Sequence, residues 1–163
     1  MTQIELLADV AQRSLDFVRM TLADFSDADL LVRPAPGANH AAWQLGHMAV
    51  SEHRLVGMSP KGQMPPLPAG FAERFSRGTT GVDDPALLAT KVELLEAFAQ
   101  MRAASVAWIL SLSVEDLALP GPEPLRARVP TVGHLCSMLP THTAMHIGQI
   151  QVIRRKLGKP VLF

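Results

Sequence analysis

The sequence has one cysteine, no surplus of charge of either sign and no long apolar run, and each shortage excludes a class of protein. Cys136 alone cannot form an internal disulfide, which is typical of a reducing compartment. Fifteen basic residues balance fifteen acidic ones, which argues against nucleic acid as a partner because phosphate binding draws on surplus positive charge. No stretch approaches the ~20 apolar residues that span a bilayer, and the first turns carry Glu5 and Asp9 instead of a signal-peptide core. We therefore expect a cytoplasmic protein that binds neither nucleic acid nor membrane.

Two local features have simple structural interpretations. The basic residues Arg154, Arg155, Lys156 and Lys159 are interpreted as the charged end of a helix, where cations meet the negative end of the helix dipole. Cys136 lies among apolar residues in a helical pattern, so it is predicted to be a small core residue and not a nucleophile.

Length and periodicity predict one domain, residues 1–163, with an all-α fold. Nearly half of the residues are apolar (48%), and they recur at steps of three and four, which is the pattern of helices with one buried face. No convincing alternation typical of strands is found. Four long helices joined by long loops predict a four-helix bundle. They are expected over Thr2–Leu22, His40–Met58, Thr90–Leu112 and Thr131–Leu157.

Caps and connections refine this expectation. Asn39 is a good N-cap for the second helix. The Pro-rich connection Ser59–Gly81 is unusually long for a compact domain and is of the kind that often has a function, with a short turn expected at Phe71–Phe75. A second Pro-rich connection covers Pro120–Pro130. Pro140 lies inside the fourth helix and should bend it close to two histidines.

The histidines carry the strongest chemical signal. His142 and His146 are four residues apart, so their rings share one face of the fourth helix, on the apolar stripe where Leu or Ile would be expected. His47 interrupts the stripe of the second helix in the same way, between Trp43 and Val50. Burying an unpartnered imidazole costs about 1–3 kcal/mol, and a metal ion would satisfy all three rings. Core histidines that hydrogen-bond to the backbone or to each other are the weaker interpretation.

The composition of the site narrows the metal chemistry. Three imidazoles suit zinc, nickel, iron or copper, and three protein ligands leave a position open for water or substrate. Thr143 stands where the H-E-x-x-H motif requires its general-base glutamate, which excludes that class of protease. The fourth helix contains no Asp or Glu and the chain has no Glu-x-x-His, so a carboxylate-bridged di-iron site is excluded as well.

The remaining histidines are weaker candidates for ligands. His40 lies two turns before His47 and is interpreted either as a second residue of the same pocket or as a partly exposed residue beside the helix cap. His53 and His134 lie on other faces of their helices and are predicted not to be ligands. Ser51 shares the face of His47, so we expect it to line the pocket.

Three stretches together resemble one known family: ANHAAWQLGHM (Ala38–Met48), LPAGFAERFS (Leu67–Ser76) and HTAMHIGQI (His142–Ile150). The family that they resemble is the DinB/YfiT-like superfamily of metal-binding four-helix bundles. The resemblance implies that His47, His142 and His146 are the metal ligands. It also implies nickel or zinc as the expected metal, with iron or manganese as alternatives, and a homodimer. Gln149 falls on the glutamine of the family motif, which leaves open a contact with a ligand histidine or a place on the helix surface.

The resemblance implies a thiol-dependent S-transferase, with a low-molecular-weight thiol as co-substrate and a small molecule as substrate. The first alternative is a hydrolase that uses a metal-activated water, which requires a nearby general base. Glu52 is about 140° around the helix from His47 and is expected to point elsewhere, so the thiol route is favoured. The second alternative is a non-catalytic metal-binding or small-ligand protein. A pocket closed over the metal by Ser59–Gly81 would favour catalysis or ligand binding, and a metal sealed by packing would favour a structural role.

Overall fold

Four long helices form the framework of the protein in the computed structural model, which describes residues 1–162. In chain order, the first two long helices each pack against both of the last two, and two short helices lie in the connections. No strand occurs in residues 1–162, where Pro120 and Thr131 form an isolated bridge. This confirms the predicted all-α, four-helix-bundle fold. The helices are α1 (Gln3–Leu22), α2 (Asp27–Leu30), α3 (Ala41–Gly57), α4 (Phe71–Arg74), α5 (Lys91–Leu110) and α6 (Val132–Lys156).

The helix starts follow the capping chemistry of the sequence, with one exception. A capping box opens α5, in which the side chains of Thr90 and Glu93 each accept the backbone N–H of the other residue. The prediction of Asn39 as the cap of α3 is wrong, because His40 occupies that position. Its Nδ1 accepts the backbone N–H of Trp43 at 3.1 Å, and its Nε2 lies 2.9 Å from the carbonyl of Val82. Both ring nitrogens of this fully buried histidine are therefore used by the backbone.

Part of the Pro-rich connection Ser59–Gly81 packs into the core. Phe75, which follows α4, packs so closely on α3 that a Cβ at Gly46 would stand 2.2 Å from its ring. This glycine therefore lets the Pro-rich connection lie directly on α3. Cys136 is fully buried in the core, where burial raises the pKa of its thiol to about 11. The prediction that it is a core residue is confirmed.

One member of the basic run does not behave as a solvated helix end. Arg154 is 1% exposed, and its guanidinium donates to the carbonyl of Thr21 at 2.8 Å, to the carbonyl of Pro160 at 2.9 Å and to the carboxylate of Asp24. Arg155 and Lys156 are exposed in the last turn of α6, as predicted. Arg154 thus ties the end of α6 to α1, because its long side chain reaches the carbonyl of Thr21.

None of the helices in residues 1–162 is long and apolar enough to cross a membrane.

Candidate metal centre

His47, His142 and His146 meet where α3 faces α6. One ligand nitrogen of each ring lies within 4.8 Å of the other two, and the Nε2 atoms of His142 and His146 are 3.1 Å apart. The ring of His47 lies edge-on to both, with centroid distances of 5.5 Å. The structure thus brings together the three side chains that the sequence singles out.

Aromatic stacking and a hydroxyl group hold the ring of His47. Trp43, one turn earlier on α3, stacks on it at a centroid distance of 4.7 Å and an interplanar angle of 9°. The indole N–H of Trp43 donates to the hydroxyl of Thr79 at 3.0 Å, which fixes the indole plane. Ser51, one turn later, places its Oγ 3.3 Å from Nε2 of His47. The expectation that Ser51 lines the pocket is confirmed.

A buried amide determines which nitrogen of His146 faces the cluster. Gln44 donates from its Nε2 to the carbonyl of Asn39 at 2.8 Å, so its Oε1 is left as the acceptor for Nδ1–H of His146 at 3.0 Å. With its proton on Nδ1, His146 directs the lone pair of Nε2 towards His142. A second hydrogen-bonded partner of this kind is usual for metal-ligating histidines. Sequence reasoning missed Gln44, although a glutamine within the otherwise apolar run AAWQLG was a usable signal.

Electrostatics keeps the three rings neutral. Burial, reinforced by the neighbouring histidines, lowers the pKa of His146 to about 3. Burial, with the charges of His142 and Arg77, lowers the pKa of His47 to about 4, and burial also lowers the pKa of His142. A metal ion binds only the deprotonated imidazole. All three lone pairs are therefore available at neutral pH.

A buried ion pair lies in the core beside the histidines. Arg102 on α5 donates to the carboxylate of Glu52 on α3 at 2.8 Å and to the hydroxyl of Thr143 on α6 at 2.9 Å. It also donates to the carbonyl of Ala11 and the hydroxyl of Ser14 on α1, both at 2.9 Å. Glu52 is 3% exposed and held by this arginine, so it does not face the histidine cluster, as expected. Its burial and its partner were not foreseen.

The other sequence candidates lie outside the cluster. His40 is buried as the cap of α3, so its interpretation as a residue of the same pocket or a partly exposed one is wrong. His53 is half-buried and His134 is exposed, and neither joins the cluster. Gln149 is exposed, and its hydrogen bond is the weakest of the influences on the pKa of His146.

A cavity of about 490 Å³ opens beside the cluster. Its lining includes His47 and His142 of the bundle and Ala72, Phe75 and Ser76 of the Pro-rich connection. Its volume falls in the range typical of small-molecule sites, about 300–1,000 Å³. The connection therefore borders a cavity that reaches two of the three histidines and does not seal them by packing.

The donor set fits a divalent transition metal. All three donors are imidazole nitrogens, and no carboxylate or thiolate joins them anywhere in residues 1–162. Two nitrogens bound about 2.1 Å from a tetrahedral metal stand about 3.4 Å apart, close to the 3.1 Å between Nε2 of His142 and Nε2 of His146. Such a set favours zinc, nickel, iron or copper over magnesium or calcium, which take oxygen ligands.

Comparisons with known proteins agree with this fold. The family model described as the DinB superfamily matches residues 7–150. A crystal structure of a conserved protein from Enterococcus faecalis superposes with a TM-score of 0.64 at 17% identity, covering 98% of this chain and 99% of that one. At this identity the likeness concerns the fold alone. No match was found among curated proteins.

Proposed function

This chain belongs to the DinB superfamily, and we propose that it is a metal-dependent enzyme that binds one divalent ion through His47, His142 and His146. The single observation that supports this proposal is a neutral three-histidine cluster bordering a cavity of small-molecule size. Nickel or zinc is the expected metal, with iron or manganese as alternatives. A metal sealed by packing would have favoured a structural role, and the cavity argues against that alternative.

The residues around the cluster would prepare it for binding. Gln44 and Trp43 hold the rings of His146 and His47 in the orientations that direct their lone pairs to one point. Three protein ligands leave a coordination position free for an incoming group. A divalent ion held there would lower the pKa of a thiol or a water molecule next to it. His47 and His142 line the cavity, so an incoming group would approach from that side.

The surroundings favour a thiol as the nucleophile. Activation of water for attack on an ester or amide normally needs a general base within hydrogen-bond reach, and no Asp or Glu lines the cavity. Glu52 is engaged by Arg102 in the core. A thiol needs only to lose its proton to become a strong nucleophile. We therefore favour a thiol-dependent S-transferase acting on a small molecule, with the hydrolase as the alternative.

Metal analysis of tag-free protein tests the proposal. We expect about one equivalent of metal per chain, lost in His146→Ala and retained in the matched control His134→Ala, because His134 is exposed and outside the cluster. Retention of metal by His146→Ala would refute the site. The cobalt-substituted protein should change its visible spectrum when low-molecular-weight thiols are added. No change with any of a panel of thiols would argue against the transferase.

The homodimer implied by the family resemblance also stays a proposal. Leu6 and Val10, exposed and one turn apart on α1, are apolar side chains that a second copy could cover.

A further inference from the structure

The cavity beside the histidines carries a concentration of positive charge. Arg54, Arg77 and Arg128 line it, and no Asp or Glu does, although the chain as a whole has equal numbers of acidic and basic residues. Within residues 1–162, none of these three guanidinium groups has a carboxylate in ion-pair distance. Within the same residues, five of the eight other arginines do have such a partner, as in the pairs Arg33–Asp83, Arg102–Glu52 and Arg154–Asp24.

Three separate segments of the chain supply these arginines. Arg54 lies on the cavity face of α3, seven residues and therefore about 10 Å along the helix from His47. Arg77 begins the short turn after α4, and its charge already acts on His47. Arg128 belongs to the second Pro-rich connection. The fold thus brings guanidinium groups from three segments of the chain to the lining of one cavity, which His47 and His142 also line.

The rest of the lining is largely apolar. Side chains of both the bundle and the connections supply this apolar part of the lining, and they would bury the body of a ligand without polar partners. The apolar lining residues are Val50, Leu55, Phe75, Leu125, Val129 and Met138. A ligand that matches this surface has an apolar body and an anionic end.

We propose that the cavity binds a small carboxylic acid with an apolar body, whose carboxylate is held by Arg54, Arg77 and Arg128 while its other end lies towards His47 and His142. Guanidinium groups bind carboxylates through paired hydrogen bonds, which gives direction as well as attraction. The inference rests on the proposed function, because it assigns the ligand class of the same cavity. The inferred ligand class also predicts that substrates or thiols without an acidic group bind weakly.

Calorimetric titration of the metal-stripped protein with two matched probes tests this inference. Phenylbutyrate and phenylbutyramide have similar shapes, and only the first is charged. We expect the acid to bind about tenfold more tightly than the amide, the gain expected of a carboxylate on partly solvated arginines. The preference should fall to about one in the triple variant Arg54→Gln/Arg77→Gln/Arg128→Gln. It should persist in Arg155→Gln, since Arg155 is exposed and outside the cavity.

Three results would overturn the inference: equal affinity for acid and amide, no binding of either probe, or an acid preference that survives the triple substitution. Circular dichroism of each variant checks that these exposed substitutions leave the fold intact. Metal analysis of the same proteins separates the two proposals. Metal binding without an acid preference contradicts only the ligand class. An acid preference in a chain that binds no metal supports the ligand class and contradicts the metal-dependent enzyme.

Discussion

Replacing Arg102 by Met should destabilise the protein more than any single substitution on its surface. Arg102 is fully buried and donates to groups on α1, α3 and α6 from its own position on α5. Methionine fills part of the same space but donates nothing. The substitution would leave the carboxylate of Glu52, itself 3% exposed, without its cation in the core.

The magnitude follows from the cost of an uncompensated buried charge. Removing one partner of a buried ion pair typically costs about 3–5 kcal/mol, whereas replacing both partners by apolar residues is often neutral or stabilising. We therefore expect Arg102→Met to lower the free energy of unfolding by about 3–5 kcal/mol and Arg102→Met/Glu52→Met to recover most of that loss. Urea unfolding followed by circular dichroism measures both. A single variant that loses less than about 1 kcal/mol, or a double variant as unstable as the single, would refute the reasoning.

The pH dependence of this variant gives an independent check. Burial raises the pKa of Glu52 above its ordinary value of 4.5, and Arg102 opposes that shift. Without the arginine the folded state holds the proton of Glu52 more tightly still, while the unfolded chain releases it near pH 4.5. A raised carboxyl pKa stabilises the fold below the unfolded pKa, and that contribution is lost as pH rises. The deficit of Arg102→Met relative to the natural protein should therefore shrink as the pH is lowered towards 4.5.

Three further predictions concern the metal centre and its support. Gln44→Leu should weaken metal affinity about 10–100-fold, because it removes the acceptor for Nδ1–H of His146. The control is Gln100→Leu, an exposed glutamine on α5, and equal losses in a competition titration would contradict the role of Gln44. Metal should stay bound as pH falls from 6.5 well towards 4, because the lowered pKa of His47, about 4, delays the competing protonation; release with a midpoint near 6.5 would contradict this. Gly46→Ala should destabilise the fold by about 1–3 kcal/mol, since its Cβ would overlap the ring of Phe75. Thermal unfolding measures this loss against Gly57→Ala, a control whose added Cβ meets no atom within 4 Å.

The histidine cluster could be predicted because its members violate a simple pattern. Leu or Ile is expected at the positions of His142 and His146 on the inner stripe of α6, and the spacing of four puts both rings on one face. The supporting residues violate no such pattern. Helix α3 is buried on nearly all sides between Ala41 and Gly46, so amphipathic periodicity could not show that Gln44 points inward. The expected direction of Glu52 rests only on its angle around α3 from His47. That angle does not reveal the arginine on α5 with which Glu52 pairs.

The prediction of Asn39 as the N-cap of α3 is wrong for a related reason. Propensity favours Asn over His at a helix start, and Asn39 offers the usual side chain. His40 is used instead because its ring satisfies two backbone groups at once, the N–H of Trp43 and the carbonyl of Val82. The second of these belongs to a distant connection that no local rule can anticipate. Tertiary contacts therefore determine which residue caps α3, as they determine the role of Arg154.

The buried ion pair and the histidine cluster are connected through Thr143 on α6. Thr143 lies between His142 and His146 on α6, and its hydroxyl accepts from Arg102 and donates to the carbonyl of Leu139. Pro140, one residue after Leu139, cannot donate a backbone hydrogen bond, so this part of α6 has fewer local constraints on its geometry. The contact with Arg102 supplies a constraint from outside the helix, at the residue between His142 and His146. The polar core thus both stabilises the bundle and fixes the part of α6 from which two of the three imidazoles project.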